Sequence, residues 1–199
     1  MNISSEQIKT LREKTGAGML NCKTALIETK GDFDKAVEFL RQKGLASAEK
    51  KLSRTTKQGI ITSYIHTGAK IGVLIELNCE TDFVARRIEF QTLAKNLAMQ
   101  IVASNVSFIS LKDIPQEMWD SEIRIESERE DVKTKPEKIR ESIIKGRVEK
   151  TLKTYTLLNQ SCIRDPEIIV EEYIKNHVSL LGENIQIGRF TKFVIGENN

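Results

Sequence analysis

Apolar residues recur at helical spacing in three short stretches at the beginning of the chain. Ser4 and Gln7 have the spacing of a capping box, which predicts a first helix that runs to about Lys14. A second helix is predicted to end at Gly31, and a third is predicted over residues 32–44 with an aspartate as its cap. Each helix has an apolar stripe on one side only, so we expect the three to bury their stripes against one another as a bundle.

The pattern then alternates between strand and helix signals. β-Forming residues from Ile60 to Ile65 and from Ile71 to Cys79, separated by a Thr-Gly-Ala-Lys turn, predict a hairpin. The clearest amphipathic helix follows, because apolar residues recur there every three or four positions. Its predicted inward positions are Phe90, Leu93, Ala94, Leu97, Ala98, Ile101 and Val102.

The last third of the chain predicts further helices and a final strand region. Pro115 opens a segment leading into the charged run 126–138, which Pro136 interrupts and which is predicted to be a solvated helical excursion. An apolar stripe over residues 139–152 predicts another helix. Beyond it the pattern predicts a helix that opens with Asp165 and Pro166 and bears Ile169, Val170, Tyr173, Ile174 and His177, then strand residues Ile185, Ile187, Phe190, Phe193 and Ile195.

These elements predict two unequal domains of an α+β protein. Residues 1–45 are predicted to form a three-helix bundle resembling a ubiquitin-associated domain, which is too small to hold a deep catalytic cleft and suits a docking module. Residues 46–58 are rich in lysine and arginine without strong apolar periodicity, and they are predicted to be a linker, with a helix that has a solvated face as the alternative. Residues 59–199 are predicted to form the core domain, an antiparallel sheet packed with helices.

Composition narrows the class of protein without identifying a partner. The 199 residues include 31 Lys and Arg against 28 Asp and Glu, and the sequence pI of about 8.7 is low for a dedicated nucleic-acid binder. No apolar run is long enough to cross a bilayer, and the N-terminus has neither a secretory signal pattern nor an Arg-rich transit peptide. We therefore expect neither a membrane nor a direct nucleic-acid partner, and a protein that works in the cytoplasm, or in the plastid stroma if it is plastid-encoded.

Residues able to carry chemistry are few. Neither His66 nor His177 lies in a serine or cysteine protease signature, and no phosphate-binding Gly-x-x-x-x-Gly-Lys-Ser/Thr loop occurs. Three widely spaced cysteines indicate neither a disulfide framework nor a zinc site. The acidic residues between 126 and 131 lack the spacing of a calcium loop. We therefore predict no catalytic residue, no metal site and no cofactor.

The segment 78–86 joins the end of a predicted strand to the start of a predicted helix, a position where functional loops are common. It offers an acid, an aromatic ring and a base within a few residues. Two interpretations are open. Asp82 and Phe83 can form an exposed contact surface, or Thr81 or Asp82 can cap the next helix while Phe83 and Val84 turn into the core.

Two stretches resemble signatures of the elongation factor Ts family. The first is Leu-Arg-Glu-Lys-Thr-Gly-Ala-Gly-Met at residues 11–19, continued by Cys22 and Lys23, and the second is Thr-Asp-Phe-Val-Ala-Arg at residues 81–86. Two long signatures in the right order favour the contact-surface interpretation of the loop. Residues that agree further, in family order, are Gly31-Asp32, Leu40-Arg41, Gly59, Phe90, Ala98-Met99, Lys135-Pro136-Glu137, Gly146-Arg147, Leu157-Leu158, Gln160 and Gly182-Glu183-Asn184-Ile185.

The resemblance implies guanine-nucleotide exchange on elongation factor Tu, the GTPase that carries aminoacyl-tRNA, with no bond broken by the factor. By that resemblance, the segment Thr81, Asp82, Phe83 and Val84 disturbs the magnesium ion of the partner, while the helical module docks on the GTPase. The residues it implies in partner binding are Leu11, Arg12, Thr15, Gly16, Gly18, Met19, Cys22, Lys23 and Arg86. Valine at Gly16 or Gly18 is expected to harm docking, since a β-branched residue resists positive φ.

The chain departs from the family pattern at two positions. Arg87 stands where the family usually has asparagine, and Gln58 where it usually has an acid. The chain resembles a short form of the family, and some short forms are homodimers, so a homodimer is also predicted.

Two alternative functions predict different behaviour. A ubiquitin-like-binding adaptor would need only residues 1–50 for its partner, and an RNA-binding accessory protein would lose affinity steeply as salt rises. The nucleotide-exchange function, in contrast, requires both domains.

Overall fold

The computed structural model describes residues 3–197 as an α+β fold, which confirms the predicted class. Within this range the strands are β1 (Gln58–Ile65), β2 (Ile71–Cys79), β3 (Ser161–Cys162), β4 (Asp165–Ile169) and β5 (Ile185–Val194). The α-helices are α1 (Ser5–Thr15), α2 (Met19–Glu28), α3 (Phe33–Glu49), α4 (Asp82–Ala85), α5 (Ile88–Ala103), α6 (Gln116–Ser127), α7 (Glu130–Lys133), α8 (Glu137–Lys153) and α9 (Val170–Leu181), and a 3₁₀ turn spans Leu111–Asp113.

The three predicted N-terminal helices are present and pack as one bundle. The capping box at the start of α1 is confirmed: Ser4 Oγ accepts a hydrogen bond from the Gln7 backbone N–H at 3.1 Å, and Gln7 Oε1 accepts one from the Ser4 N–H at 3.0 Å. The likeness of the bundle to a ubiquitin-associated domain stays a prediction. Its buried residues form a single apolar cluster of Ile8, Leu11, Cys22, Ala25, Leu26, Ala36 and Leu40.

The prediction that the third helix ends at Gly44 is wrong. Helix α3 continues to Glu49, and Ala48, within the predicted linker, is fully buried. A Cβ atom on Gly44 would lie 2.8 Å from Ser179 Oγ of α9. Gly44 therefore marks a close approach between two helices rather than a helix end.

The predicted hairpin and the helix after it are both confirmed. The His66 N–H donates to the Ile71 carbonyl across the β1–β2 turn, and the three-stranded sheet has the order β1-β2-β5. Alternate residues of β2, namely Val73, Ile75 and Leu77, are buried. The predicted inward positions of α5 are buried too, except Val102, which is half-exposed.

The prediction that a helix opens at Asp165 is wrong. Strand β4 occupies Asp165–Ile169 and pairs antiparallel with β3, and α9 begins at Val170. The backbone N–H groups of Val170 and Glu171 donate to the carbonyls of Gln160 and Leu158. These donors at the helix start are therefore satisfied by a distant part of the chain and need no local cap.

The charged run 126–138 is less solvated than predicted. It does contain a break before Pro136, after which α8 begins. Glu126, however, is buried on α6, and its carboxylate lies 3.5 Å from Arg129 and 3.4 Å from Arg147. The Arg147 guanidinium also binds Asp131 and lowers the pKa of that carboxyl to about 2. Ion pairs thus tie α6, α7 and α8 together.

Contacts divide the chain into two compact units. One contains the described residues up to Ile61 together with Glu76–Ala94 and Glu172–Gly188, and the other contains Thr62–Ile75, Lys95–Glu171 and the described residues from Arg189. The helical bundle and the segment 81–86 belong to the same unit. The domain boundaries at residues 45 and 58 stay a prediction. No helix within residues 3–197 is long and apolar enough to span a membrane.

Candidate partner-binding site

The segment 81–84 forms a capped single turn of helix directly after the sheet. Thr81 is the N-cap of α4, and its Oγ1 accepts a hydrogen bond from the Val84 backbone N–H at 3.4 Å. Val84 and Ala85 are buried. The capping interpretation was therefore correct for Thr81 and Val84.

Phe83 points out of the same turn, as the contact-surface interpretation predicts and contrary to the core interpretation. Its side chain is 77% exposed, although one turn of helix fixes its backbone. A large apolar ring held in solvent, next to the buried Val84 and Ala85, gains nothing from the fold. This arrangement suits a contact residue that buries its ring in a partner.

Asp82 and Arg86 flank the exposed ring on the polar side. Asp82 Oδ2 lies 2.9 Å from Arg86 Nη2, an i,i+4 ion pair with both side chains partly exposed. Surface pairs of this kind contribute little to stability, so a partner can replace Arg86 at the carboxylate at low cost. Arg87, the departure from the family pattern, turns to Glu89 instead, at 2.6 Å.

Beneath the turn lies a carboxylate that the sequence prediction did not identify as functional. Glu183 Oε2 accepts hydrogen bonds from the backbone N–H groups of Glu80 at 3.1 Å and Thr81 at 3.0 Å, while Glu183 Oε1 accepts from the Thr81 hydroxyl at 2.6 Å. Glu183 belongs to one of the stretches that resemble the family, but no role was predicted for it. Its sequence signal is an acidic residue next to each of two strand ends, Glu80 after β2 and Glu183 before β5. Periodicity along the sequence does not show that these two residues meet.

The thiol of Cys79 lies at the base of the same turn. Its Sγ donates to the Thr81 carbonyl at 3.1 Å. Burial, together with the negative charge of Glu183, raises the pKa of Cys79 to about 11. The thiol therefore remains protonated near neutral pH and acts as a packing residue, as expected for a buried free cysteine.

The nine residues predicted to bind a partner divide into exposed and buried groups. Arg12, Met19 and Lys23 are exposed on the bundle, as is Arg86 beside the loop. Leu11 and Cys22 are fully buried in the bundle core, so they can support such a surface but cannot touch a partner directly. Thr15 is half-buried and donates its hydroxyl to the Leu11 carbonyl at 2.7 Å.

The two glycines between α1 and α2 are not equivalent. Gly16 has φ +69° and its N–H donates to the Arg12 carbonyl, so it is the left-handed C-cap of α1. Gly18 has φ −63°, a value that any residue adopts. The expectation of positive φ was therefore correct for Gly16 and wrong for Gly18.

Helix α2 also exposes apolar residues that the sequence prediction did not assign to the surface. Leu20 is 77% exposed, and Ile27 is half-exposed. Leu20, Lys23 and Ile27 are three and then four residues apart, so they share one face of the helix. That spacing is the signal that could have separated this outer face from the buried one.

Comparison with known proteins agrees with the two signatures. The model of the family described as "Elongation factor TS" matches residues 48–197. "Elongation factor Ts" of Synechococcus elongatus is 58% identical over 196 residues, which cover 98% of this chain and 89% of that protein. The chain belongs to the elongation factor Ts family.

Plastid relatives are similar to this chain to nearly the same extent. "Elongation factor Ts, chloroplastic" of Rhodomonas salina is 57% identical over 98% of the chain and 90% of its own length. The protein of the same name from Phaeodactylum tricornutum is 55% identical over 98% of the chain and 97% of its own length. The protein is thus a translation elongation factor, with relatives in bacteria and in chloroplasts.

Both parts of the candidate site fall within these matches. The family model starts at residue 48, so its range contains the turn that carries Phe83 but only the end of the helical bundle. Alignments over 196 of the 199 residues include the bundle as well. The matched ranges therefore include the exposed ring and the outer face of α2.

Proposed function

We propose that this protein is a guanine-nucleotide exchange factor. It binds elongation factor Tu in the GDP form, disturbs the magnesium site of that partner and promotes GDP release so that GTP can bind. It breaks no bond and needs no cofactor. The observation that carries the proposal is the exposed ring of Phe83 on a turn whose neighbours Val84 and Ala85 are anchored in the core.

Phe83 acts as an apolar wedge in this proposal. Aromatic rings are frequent anchors at interfaces because they bury a large area at a small cost in side-chain entropy. The ring is already exposed in the free protein, so docking removes no core contact. The partner receives the ring in a gap between structural elements near the nucleotide, and widening that gap displaces the groups that hold the metal.

Asp82 supplies the electrostatic part of the mechanism. Magnesium neutralises phosphate charge on GDP, so moving the ion or its water ligands removes a large local attraction. The Asp82 carboxylate competes for donors that position the metal ligands, since an ionised acceptor forms stronger hydrogen bonds than a neutral one. Its exposed pair with Arg86 is weak enough to open on contact.

Exchange then follows from thermodynamic linkage. If this factor binds nucleotide-free elongation factor Tu more tightly than the GDP form, GDP must bind the factor complex more weakly by the same ratio. Neither proton transfer nor a covalent step is required. The reaction therefore needs only binding surfaces, and the proposed ones are the turn at 81–84 and the helical bundle.

The bundle is proposed to supply affinity. Its exposed candidates are Arg12, Met19 and Lys23, with Leu20 and Ile27 added from the outer face of α2. An apolar centre beside cationic side chains suits an interface with an apolar, acidic patch on the partner. Leu11 and Cys22 hold α1 against α2 from inside the bundle.

Replacing Gly16 with valine is expected to weaken binding to elongation factor Tu about tenfold or more. The left-handed φ of +69° disfavours a β-branched side chain, and a Cβ atom would lie 2.8 Å from Leu180 Cδ1. Surface plasmon resonance with the nucleotide-free partner measures the loss. Gly18→Ala is the matched control, because φ is ordinary there and the nearest atom to a Cβ is 3.9 Å away. Equal affinities for the Gly16→Val and Gly18→Ala variants would contradict the expectation.

We also propose that the protein can form a homodimer, as the resemblance to short forms implies. The support is an apolar surface of one compact unit, where Ile65, Leu74, Phe193 and Ile195 are exposed. Apolar surface of this kind favours association. Sedimentation velocity at micromolar concentration distinguishes a species of twice 22.6 kDa from the monomer, and a monomer at every concentration would exclude the homodimer.

The magnesium mechanism is tested by measuring release of fluorescent GDP from elongation factor Tu with and without the metal. At millimolar free magnesium, the protein is expected to accelerate release strongly. After chelation, release is already fast, and the added acceleration is expected to be small. An equal acceleration factor in both conditions would contradict action through the metal. The adaptor and RNA-binding alternatives predict no acceleration in either condition.

The proposed place of action is the cytoplasm of a bacterium or the stroma of a plastid. This proposal is supported by the relatives, since both bacterial and chloroplastic elongation factor Ts proteins are more than half identical to this chain. We propose neither membrane binding nor direct nucleic-acid binding. Immunolocalisation in the source organism would test the proposed place of action.

A further inference from the structure

We propose that Glu183 is a positioning residue for nucleotide exchange, which holds the turn at 81–84 in the orientation that presents Phe83. This inference rests on the proposed exchange function. The hydrogen bonds of Glu183 go to neither Asp82 nor Phe83. Its carboxylate instead accepts all three donors that the chain presents immediately before α4, namely the N–H groups of Glu80 and Thr81 and the Thr81 hydroxyl.

The hydrogen bonding of Thr81 explains why this carboxylate controls the turn. A threonine hydroxyl has one hydrogen and two lone pairs. Because the hydrogen is donated to Glu183 Oε1 at 2.6 Å, the lone pairs are directed to other donors, and one accepts the Val84 N–H at 3.4 Å. Glu183 thereby orients the cap that defines the first turn of α4. Without the carboxylate, the hydroxyl can rotate and the cap loses its preferred geometry.

The carboxylate is itself held in place by a reciprocal contact. Glu80 donates its backbone N–H to Glu183, and Asn184 donates its backbone N–H to Glu80 Oε1 at 2.7 Å. The Asn184 amide also donates to the carbonyls of Leu52 at 3.2 Å and Arg54 at 2.7 Å. The stretches 52–54, 80–81 and 183–184 are thus joined by hydrogen bonds that mostly involve backbone groups.

This anchor is less exposed than the ring that is proposed to enter the partner. Phe83 is exposed, whereas Glu183 is half-buried and Asn184 is fully buried. A partner that receives the ring therefore does not compete for the hydrogen bonds of Glu183. Preorganisation of this kind raises the rate of a step that depends on position, because a misplacement of about 1 Å can cost up to ~100-fold. It leaves the affinity contributed by the bundle unchanged.

The test compares Glu183→Ala and Glu183→Gln with wild type in GDP release from elongation factor Tu. The maximal release rate at saturating factor is expected to fall about tenfold in Glu183→Ala, with the half-saturating concentration within about twofold. Glu183→Gln is expected to recover part of the rate, since its amide oxygen still accepts both backbone N–H groups. Glu172→Gln is the control, because it removes the charge of a carboxylate on α9 that contacts Arg41 at 2.7 Å rather than the turn, and it is expected to keep the wild-type maximal rate.

A double-mutant cycle with Thr81→Val separates positioning from general destabilisation. If Glu183 acts through the Thr81 hydroxyl, adding Glu183→Ala to Thr81→Val is expected to lower the maximal rate by much less than tenfold. Full additivity of the two effects would overturn the inference. So would an equal loss of rate in Glu172→Gln, which would indicate a merely structural effect.

Amide hydrogen exchange in the free protein provides a readout that needs no partner. The Thr81 and Val84 amides are expected to exchange faster in Glu183→Ala than in wild type, while amides of the helical bundle keep their protection. Unchanged protection of both amides would overturn the inference. If wild-type protein itself fails to accelerate GDP release, the exchange function fails, whereas normal acceleration by every Glu183 variant contradicts only the positioning role.

Discussion

Replacing Phe83 with alanine is expected to lower the maximal rate of GDP release from elongation factor Tu about thirtyfold, with affinity for the nucleotide-free partner changed by less than about threefold. A thirtyfold change in rate corresponds to about 2 kcal/mol in the activation free energy of GDP release. The ring is 77% exposed, so its removal costs the free protein almost no folding energy. Stopped-flow release at saturating factor measures the rate, and titration calorimetry measures the affinity.

Ile88→Ala is the matched control for that experiment. Ile88 is 70% exposed and lies five residues beyond Phe83, at the first position of α5 and outside the capped turn. It removes a comparable exposed apolar side chain without changing residues 81–84, so release within about twofold of wild type is expected. A parallel loss of rate and affinity in Phe83→Ala would contradict the division of labour between the turn and the bundle.

Gly59→Ala is expected to destabilise the protein by about 3 kcal/mol. A Cβ atom on Gly59 would lie 2.3 Å from the Leu77 carbonyl oxygen and 2.8 Å from the Asn78 Cα. Both obstacles are backbone atoms of β2, which cannot rotate away, so β1 and β2 must separate locally. Urea unfolding followed by circular dichroism measures the change, and the midpoint is expected to fall with little change in slope.

Gly146→Ala is the control, and its expected effect on the free energy of unfolding has the opposite sign. Gly146 lies within α8, and a Cβ atom there meets nothing within 4 Å. Alanine is expected to raise the free energy of unfolding by about 0.5–1 kcal/mol, because glycine loses more backbone entropy in a helix. Wild-type stability of the Gly59→Ala variant would contradict the close approach of the two strands.

Local signals in the sequence predicted most of the secondary structure. The capping box of Ser4 and Gln7 determined the start of α1, and the apolar stripe of α5 identified the helix and its buried face. Both depend on residues three or four positions apart. Such signals are reliable because residues three or four positions apart stay close together in the folded protein.

The incorrect predictions share a different cause. Helix α3 passes through Gly44 because Ser179 packs against it, and α9 begins at Val170 because the carbonyls of Gln160 and Leu158 accept its first N–H groups. Each partner lies far from the place where a local rule expected a cap or a break. Tertiary contacts therefore override propensity at these helix ends.

The candidate site was predictable in part. Its residues 81–84 were identified from family-like signatures, and the cap at Thr81 from its residue type. The contact-surface interpretation predicted the exposure of Phe83, but the anchor at Glu183 depends on the three-dimensional arrangement, since Glu183 lies more than one hundred residues from Thr81. Periodicity along one chain carries no information about such a pair.

The most direct measurement is release of fluorescent GDP from purified elongation factor Tu at fixed magnesium, alone, with wild-type protein, and with the Asp82→Ala, Phe83→Ala double variant. Wild-type protein is expected to accelerate release strongly, and the double variant is expected to bind the partner while losing nearly all acceleration. Full acceleration by the double variant, or complex formation by wild type without any acceleration, would contradict the claim that the turn at 81–84 drives nucleotide exchange.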